Sequence, residues 1–156
     1  MRIEKIKQPL ILVILAFLLG QSIAVYANHE VNFDKGVMLE GFDVVAYHTM
    51  GKAKRGFKEF NVDWLGGKWY FVNQQHRDLF VEDPEAYLPQ YGGYCALSYA
   101  NGKEHGGVDP RAWQIVEGKL YLFYGRRAVS RWKFEQPHVQ EANKKWEKAK
   151  AGLVIE

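Results

Sequence analysis

The sequence predicts an α+β fold, a small single domain with two β-hairpins, short helices and a C-terminal amphipathic helix. Three observations carry this. Two segments rich in apolar and aromatic residues, the first alternating with polar neighbours, turn back at a glycine-containing pair; capped, short helical stretches lie between and beside them; and apolar residues recur at helical spacing after Pro137. The chain has 156 residues, 47% of them hydrophobic and 15% aromatic. A chain of that length and composition fills one core without a metal or disulfide to hold it.

The N-terminal segment comes first. Residues 1–8 are short and basic, 9–20 run Pro-Leu-Ile-Leu-Val-Ile-Leu-Ala-Phe-Leu-Leu-Gly, and Val25-Tyr26-Ala27 sets small residues where a signal peptidase cuts. Residues 1–27 are therefore expected to be a signal peptide and 28–156 a periplasmic or secreted domain. An uncleaved anchor is the alternative, and the membrane enters only through it. The apolar run is short of the roughly 20 residues a span needs. Without this segment 18 basic and 17 acidic residues remain, a net charge of +1. That balance excludes a nucleic-acid footprint.

In the domain, Val31 to Leu39 is a lead-in, and Gly41-Phe42-Asp43-Val44-Val45-Ala46-Tyr47 has the β-branched and aromatic content of a short strand or extended loop, with Asp43 placed to cap or anchor it. Gly51 and Gly56 mark turns. Phe60, Val62 and Trp64 alternate with polar neighbours, Gly66-Gly67 offers two positions free to take positive φ, and Trp69-Tyr70-Phe71-Val72 returns, which predicts a hairpin. Asn73 caps a helix bearing Leu79, Phe80 and Val81, from which His76 is expected to face solvent or cap. Asp83-Pro84 opens a second helix with Tyr87 and Leu88.

Asn101 to Asp109 is a polar, glycine-rich loop. The next hairpin pairs Trp113-Gln114-Ile115-Val116 with Lys119 to Tyr124 about Glu117-Gly118. A helix is expected from about Ser130. After Pro137, Val139, Ala142, Trp146 and Ala149 share one helical face, and Lys144, Lys145, Lys148 and Lys150 form the solvated one. No internal repeat is evident.

Cys95 is the only cysteine, so an intramolecular disulfide is impossible in a chain expected to be exported. It stands in Gln90-Tyr91-Gly92-Gly93-Tyr94-Cys95-Ala96, where two glycines allow close backbone approach. A helix starting after Tyr94 would set Cys95 at its N-terminus, where the dipole favours the thiolate that ligates metals and attacks electrophiles. The alternatives are a metal-ligating thiolate, a redox thiol and a small buried hydrophobe. The five histidines, His29, His48, His76, His105 and His138, show no pair at metal-ligand spacing. His48 after Tyr47 and His105 in the glycine-rich loop are the two candidates to join Cys95. Tyr91, Gly92, Gly93 and Tyr94 are its supporting residues. No hydrolase triad, paired-carboxylate site or phosphate loop is present.

One stretch carries a family likeness. The hairpin with Lys68-Trp69-Tyr70-Phe71, the helix with Arg77 to Phe80 and Asp83-Pro84-Glu85-Ala86-Tyr87 resemble the YHS domain. The extension Tyr91-Gly92-Gly93-Tyr94-Cys95, with Asp109-Pro110-x-x-Trp113 and Gly118-Lys119-Leu120-Tyr121-Leu122, resembles its exported single-domain branch. In some members of that branch selenocysteine stands at the place of Cys95. The resemblance implies an α+β metal-binding domain, a type also found attached to copper-transporting ATPases, and it makes Cys95 a functional residue. The two cysteines typical of the metal-binding members correspond to Ala46 and Val72, so that ligand set does not transfer. The expected function is the binding or handling of a transition metal through Cys95, copper first, with zinc and iron behind it. The alternatives are a thiol-dependent redox protein that takes a small thiol, disulfide or peroxide substrate at Cys95, and a non-catalytic binding module with Cys95 buried.

Overall fold

The computed structural model describes residues 33–34, 36–103 and 107–151. The expected signal segment lies outside them. No helix among the described residues is long and apolar enough to cross a membrane.

The fold is α+β, with two small sheets and short helices closed by one long C-terminal helix. Strands β1 (Phe33–Asp34) and β2 (Val37–Met38) lead into a tight turn at Leu39–Gly41 and helix α1 (Val44–Met50). The first hairpin is β3 (Phe57–Trp64) and β4 (Gly67–Phe71), followed by α2 (Gln74–Glu82) and α3 (Pro84–Tyr87). A second tight turn at Gln90–Gly93 leads to α4 (Ala96–Ala100). The second hairpin, β5 (Asp109–Val116) and β6 (Lys119–Phe123), is followed by α5 (Arg126–Arg131) and α6 (Pro137–Ala151).

The first sheet has the order β1-β2-β4-β3, with β2 and β4 parallel and the other pairs antiparallel; β5 and β6 pair with each other. Alternation on β4 buries Gly67, Trp69 and Phe71 and leaves Lys68 and Tyr70 partly exposed, the period-two pattern of a half-buried strand. Phe80 of α2 closes over that face, its ring centroid 5.1 Å from Trp69 and 5.2 Å from Phe71. Tyr121, Phe123 and Trp132 build the corresponding cluster on the second hairpin. On α6, Val139, Ala142 and Trp146 are buried, as the helical spacing predicts.

Several local expectations need correction. The segment around Val44 is helical, because the Asp43 carboxylate caps it: Oδ1 accepts from the amides of Val45 and Ala46 at 2.8 and 3.2 Å. Two β-branched valines lower helix propensity only slightly against such a cap. The first hairpin turns at Leu65-Gly66, with φ of 48° and 72°, and Gly67 already belongs to β4. The helix expected near Ser130 begins at Arg126. His76 is buried, not solvent-facing. The caps read at Asn73 and Asp83 are present, accepting from the amides of His76 and Ala86.

Candidate functional site

Cys95 immediately precedes α4, the arrangement that a helix after Tyr94 requires, and its side chain is fully buried. The backbone reaches it through a left-handed turn: Tyr91, Gly92 and Gly93 have φ of 58°, 61° and 80°. Glycine adopts that region freely, whereas for Tyr91 it is strained. Packing holds Tyr91 there. Its ring stacks on Tyr99 of α4 at 4.3 Å and 7°, and its hydroxyl donates to Asn143 Oδ1 of α6 at 2.6 Å. Tyr121 donates to the same oxygen at 3.3 Å. Burial raises both phenols well above their ordinary range, which keeps them neutral donors. Cys95 itself forms an isolated bridge with Leu122 of β6 and makes no capping hydrogen bond through sulfur.

His48 sits in the last turn of α1. Tyr47 before it anchors the helix to the second hairpin, donating to Pro110 O at 2.8 Å and meeting Trp113 edge-on at 5.3 Å. The His48 ring meets Tyr87 of α3 edge-on at 5.4 Å, and its Nε2 is buried without a hydrogen-bond partner. Two tryptophan Nε1 atoms, of Trp132 and Trp146, share that condition, but indole nitrogen is only a donor. Imidazole nitrogen has a lone pair that can ligate. Burial pushes the His48 imidazole below its ordinary value, so the ring is held in the neutral, ligand-competent form. His105 lies outside the described residues. Among those described, no group of three His, Cys, Asp or Glu is arranged to hold a metal ion.

Of the supporting residues, Tyr91, Gly92 and Gly93 are buried and Tyr94 is half-buried. Tyr94 N donates to Tyr91 O at 3.0 Å, which closes the turn that presents Cys95.

A second polar centre was missed by the sequence reading. Asp43, fully buried, joins three elements: besides capping α1, its Oδ2 accepts from the amide of Val72 at 2.8 Å and from His76 Nδ1 of α2 at 2.7 Å. His76 Nε2 lies 3.2 Å from Thr49 Oγ1, which donates to Val45 O at 3.0 Å. Asp43 was legible only as a cap or anchor of its loop; the helix it caps and the partner 33 residues away were not.

An open groove of about 850 Å³ between α4 and α6 is lined by Tyr99, Ala100, Asn143, Lys144 and Lys148, with Cys95 and His48 outside it. Compared with protein-family models, curated proteins and solved structures, the chain matches none of them.

Proposed function

We propose that the chain is an exported YHS-type domain that binds or handles a transition metal, copper first, through the Cys95 thiolate with His48 as its imidazole partner and His105 as a further candidate. The observation that carries this reading is the buried, unpartnered and neutral Nε2 of His48, an expensive arrangement for a polar atom unless something occupies its lone pair. Thiolate and imidazole form a soft donor set suited to copper.

A second reading has its own support. Cys95 has no exposed surface and belongs to the hydrophobic core, as expected of an inert thiol in a non-catalytic binding module. The same burial weighs against the redox reading, which needs a sulfur that a thiol, disulfide or peroxide can reach.

Competition against a copper(I) chelator separates these readings. Cys95→Ser should weaken copper binding by at least roughly tenfold, and His48→Gln by a smaller factor. Unchanged affinity in Cys95→Ser would leave the buried-module reading standing.

A further inference from the structure

A constant offset of 52 residues carries the first half of the domain onto the second. Strand β3 (Phe57–Trp64) falls on β5 (Asp109–Val116), and β4 (Gly67–Phe71) falls on β6 (Lys119–Phe123), end for end. The first residues of α1 and α4, Val44 and Ala96, correspond, as do those of α2 and α5, Gln74 and Arg126.

The irregularities correspond as well. The first hairpin shifts register between Phe57 and Asn61, the second between Asp109 and Trp113. The left-handed run Leu39, Glu40, Gly41, with φ of 48°, 53° and 79°, matches Tyr91, Gly92, Gly93. Each run is closed by the same bond, Phe42 N to Leu39 O at 2.9 Å and Tyr94 N to Tyr91 O at 3.0 Å. The hairpin turns Leu65-Gly66 and Glu117-Gly118 both take positive φ at both residues. Phe71 packs on Phe80 at 5.2 Å, and their counterparts Phe123 and Trp132 pack at 5.4 Å. Trp69 and Phe80 at 5.1 Å and 33° match Tyr121 and Trp132 at 4.7 Å and 40°. Hairpins and short helices recur in unrelated folds, but a bulge, two left-handed runs and two ring clusters in one register without insertion or deletion do not.

We infer that residues 39–82 and 91–134 are two copies of one structural unit fused head to tail, and that Cys95 with Ala128 occupies in the second copy the seat of the Asp43–His76 pair in the first. All four residues are buried. The carboxylate that ties helix, strand and second helix together in the first copy is a thiol in the second, and the imidazole it holds is a methyl group. Cys95 is thereby released from the junction role of its counterpart. This holds whatever Cys95 binds.

A double-mutant cycle on the full chain tests the register, with thermal unfolding as the readout. Cys95→Asp buries a carboxylate without an imidazole and Ala128→His an imidazole without a carboxylate, so each lowers Tm. The double variant should melt at least about 5 °C above the value expected from adding the two losses. Where a single variant does not fold, a folded double variant is the same coupling seen as rescue. Cys95→Asp with Val129→His, one residue out of register, should show none. An additive or unfolded double variant, or equal coupling at Val129, would overturn the inference. Copper titration of Cys95→Ser reads the metal proposal separately, so either idea can fail alone.

Discussion

Asp43→Ala is expected to be among the most damaging single substitutions in the domain, lowering stability by about 3–5 kcal/mol. The carboxylate is fully buried and accepts from three backbone amides, of Val45, Ala46 and Val72, and from His76 Nδ1. Truncation leaves the first turn of α1 uncapped, an amide at the end of β4 unpaired and a buried imidazole without its partner. Those costs fall on one site and compound, because no water takes the place of a group with no exposed surface. Asn at this position keeps part of the cap and loses the charge opposite His76, so its loss should be intermediate. Chemical denaturation of both variants beside wild type checks the order: Ala worst, Asn between. If Asp43→Ala cost less than about 1 kcal/mol, the junction would be an incidental contact and not a tie between α1, α2 and the sheet.

Gly56→Ala is the second large effect, for a steric reason. The Gly56 amide donates to Gly41 O at 2.9 Å, and its Cα lies directly against β4. A methyl group there would overlap the carbonyl of Tyr70 and the amide nitrogen of Phe71. These are backbone atoms held between β2 and β3, so no rotamer change relieves the overlap, and the start of β3 must peel from β4. A loss on the order of 3 kcal/mol or more is expected, a fall in Tm of about 10 °C. Gly66→Ala is the control. Its methyl would meet nothing, and only the left-handed backbone, φ 72°, opposes it, at about 1–2 kcal/mol. Equal losses at the two positions would mean that β4 gives way to the added methyl and that the contact does not govern Gly56.

Both effects depend on features that a linear reading resolves unequally. The hairpins were legible because Trp69-Tyr70-Phe71 and Lys119 to Phe123 are short aromatic and aliphatic runs that follow turn residues, and Phe60, Val62 and Trp64 alternate with polar neighbours. The C-terminal helix was legible because Val139, Ala142 and Trp146 keep one face over two turns. Segment 44–50 was not, since Val44-Val45 and Tyr47 suit either state and the deciding cap is a side-chain bond. His76 was misread for a similar reason. Only the fold brings Asp43 to it.

The internal repeat escaped notice because only Gly41 with Gly93, Tyr47 with Tyr99, Gly66 with Gly118 and Phe71 with Phe123 are identical at the 52-residue offset. Elsewhere the shared constraint is turn chirality and aromatic volume, which Phe80 and Trp132, or Trp69 and Tyr121, satisfy with different letters. At the candidate site, the double glycine made a close backbone approach at Cys95 legible, whereas the helix after it was not, because Ala96 to Ala100 is too short to show a helical period. Its complete burial, and the orphaned nitrogen of His48, were not, because both depend on the packing of α3, α6 and the second hairpin.

The proposal of metal handling at Cys95 is tested most directly by metal content. The protein is purified without chelator and incubated with copper, zinc or iron beside Cys95→Ser, then desalted and assayed for bound metal. Near one equivalent of copper is expected in the wild type and none in the variant. Equal copper in both proteins, or no metal in either, would contradict it.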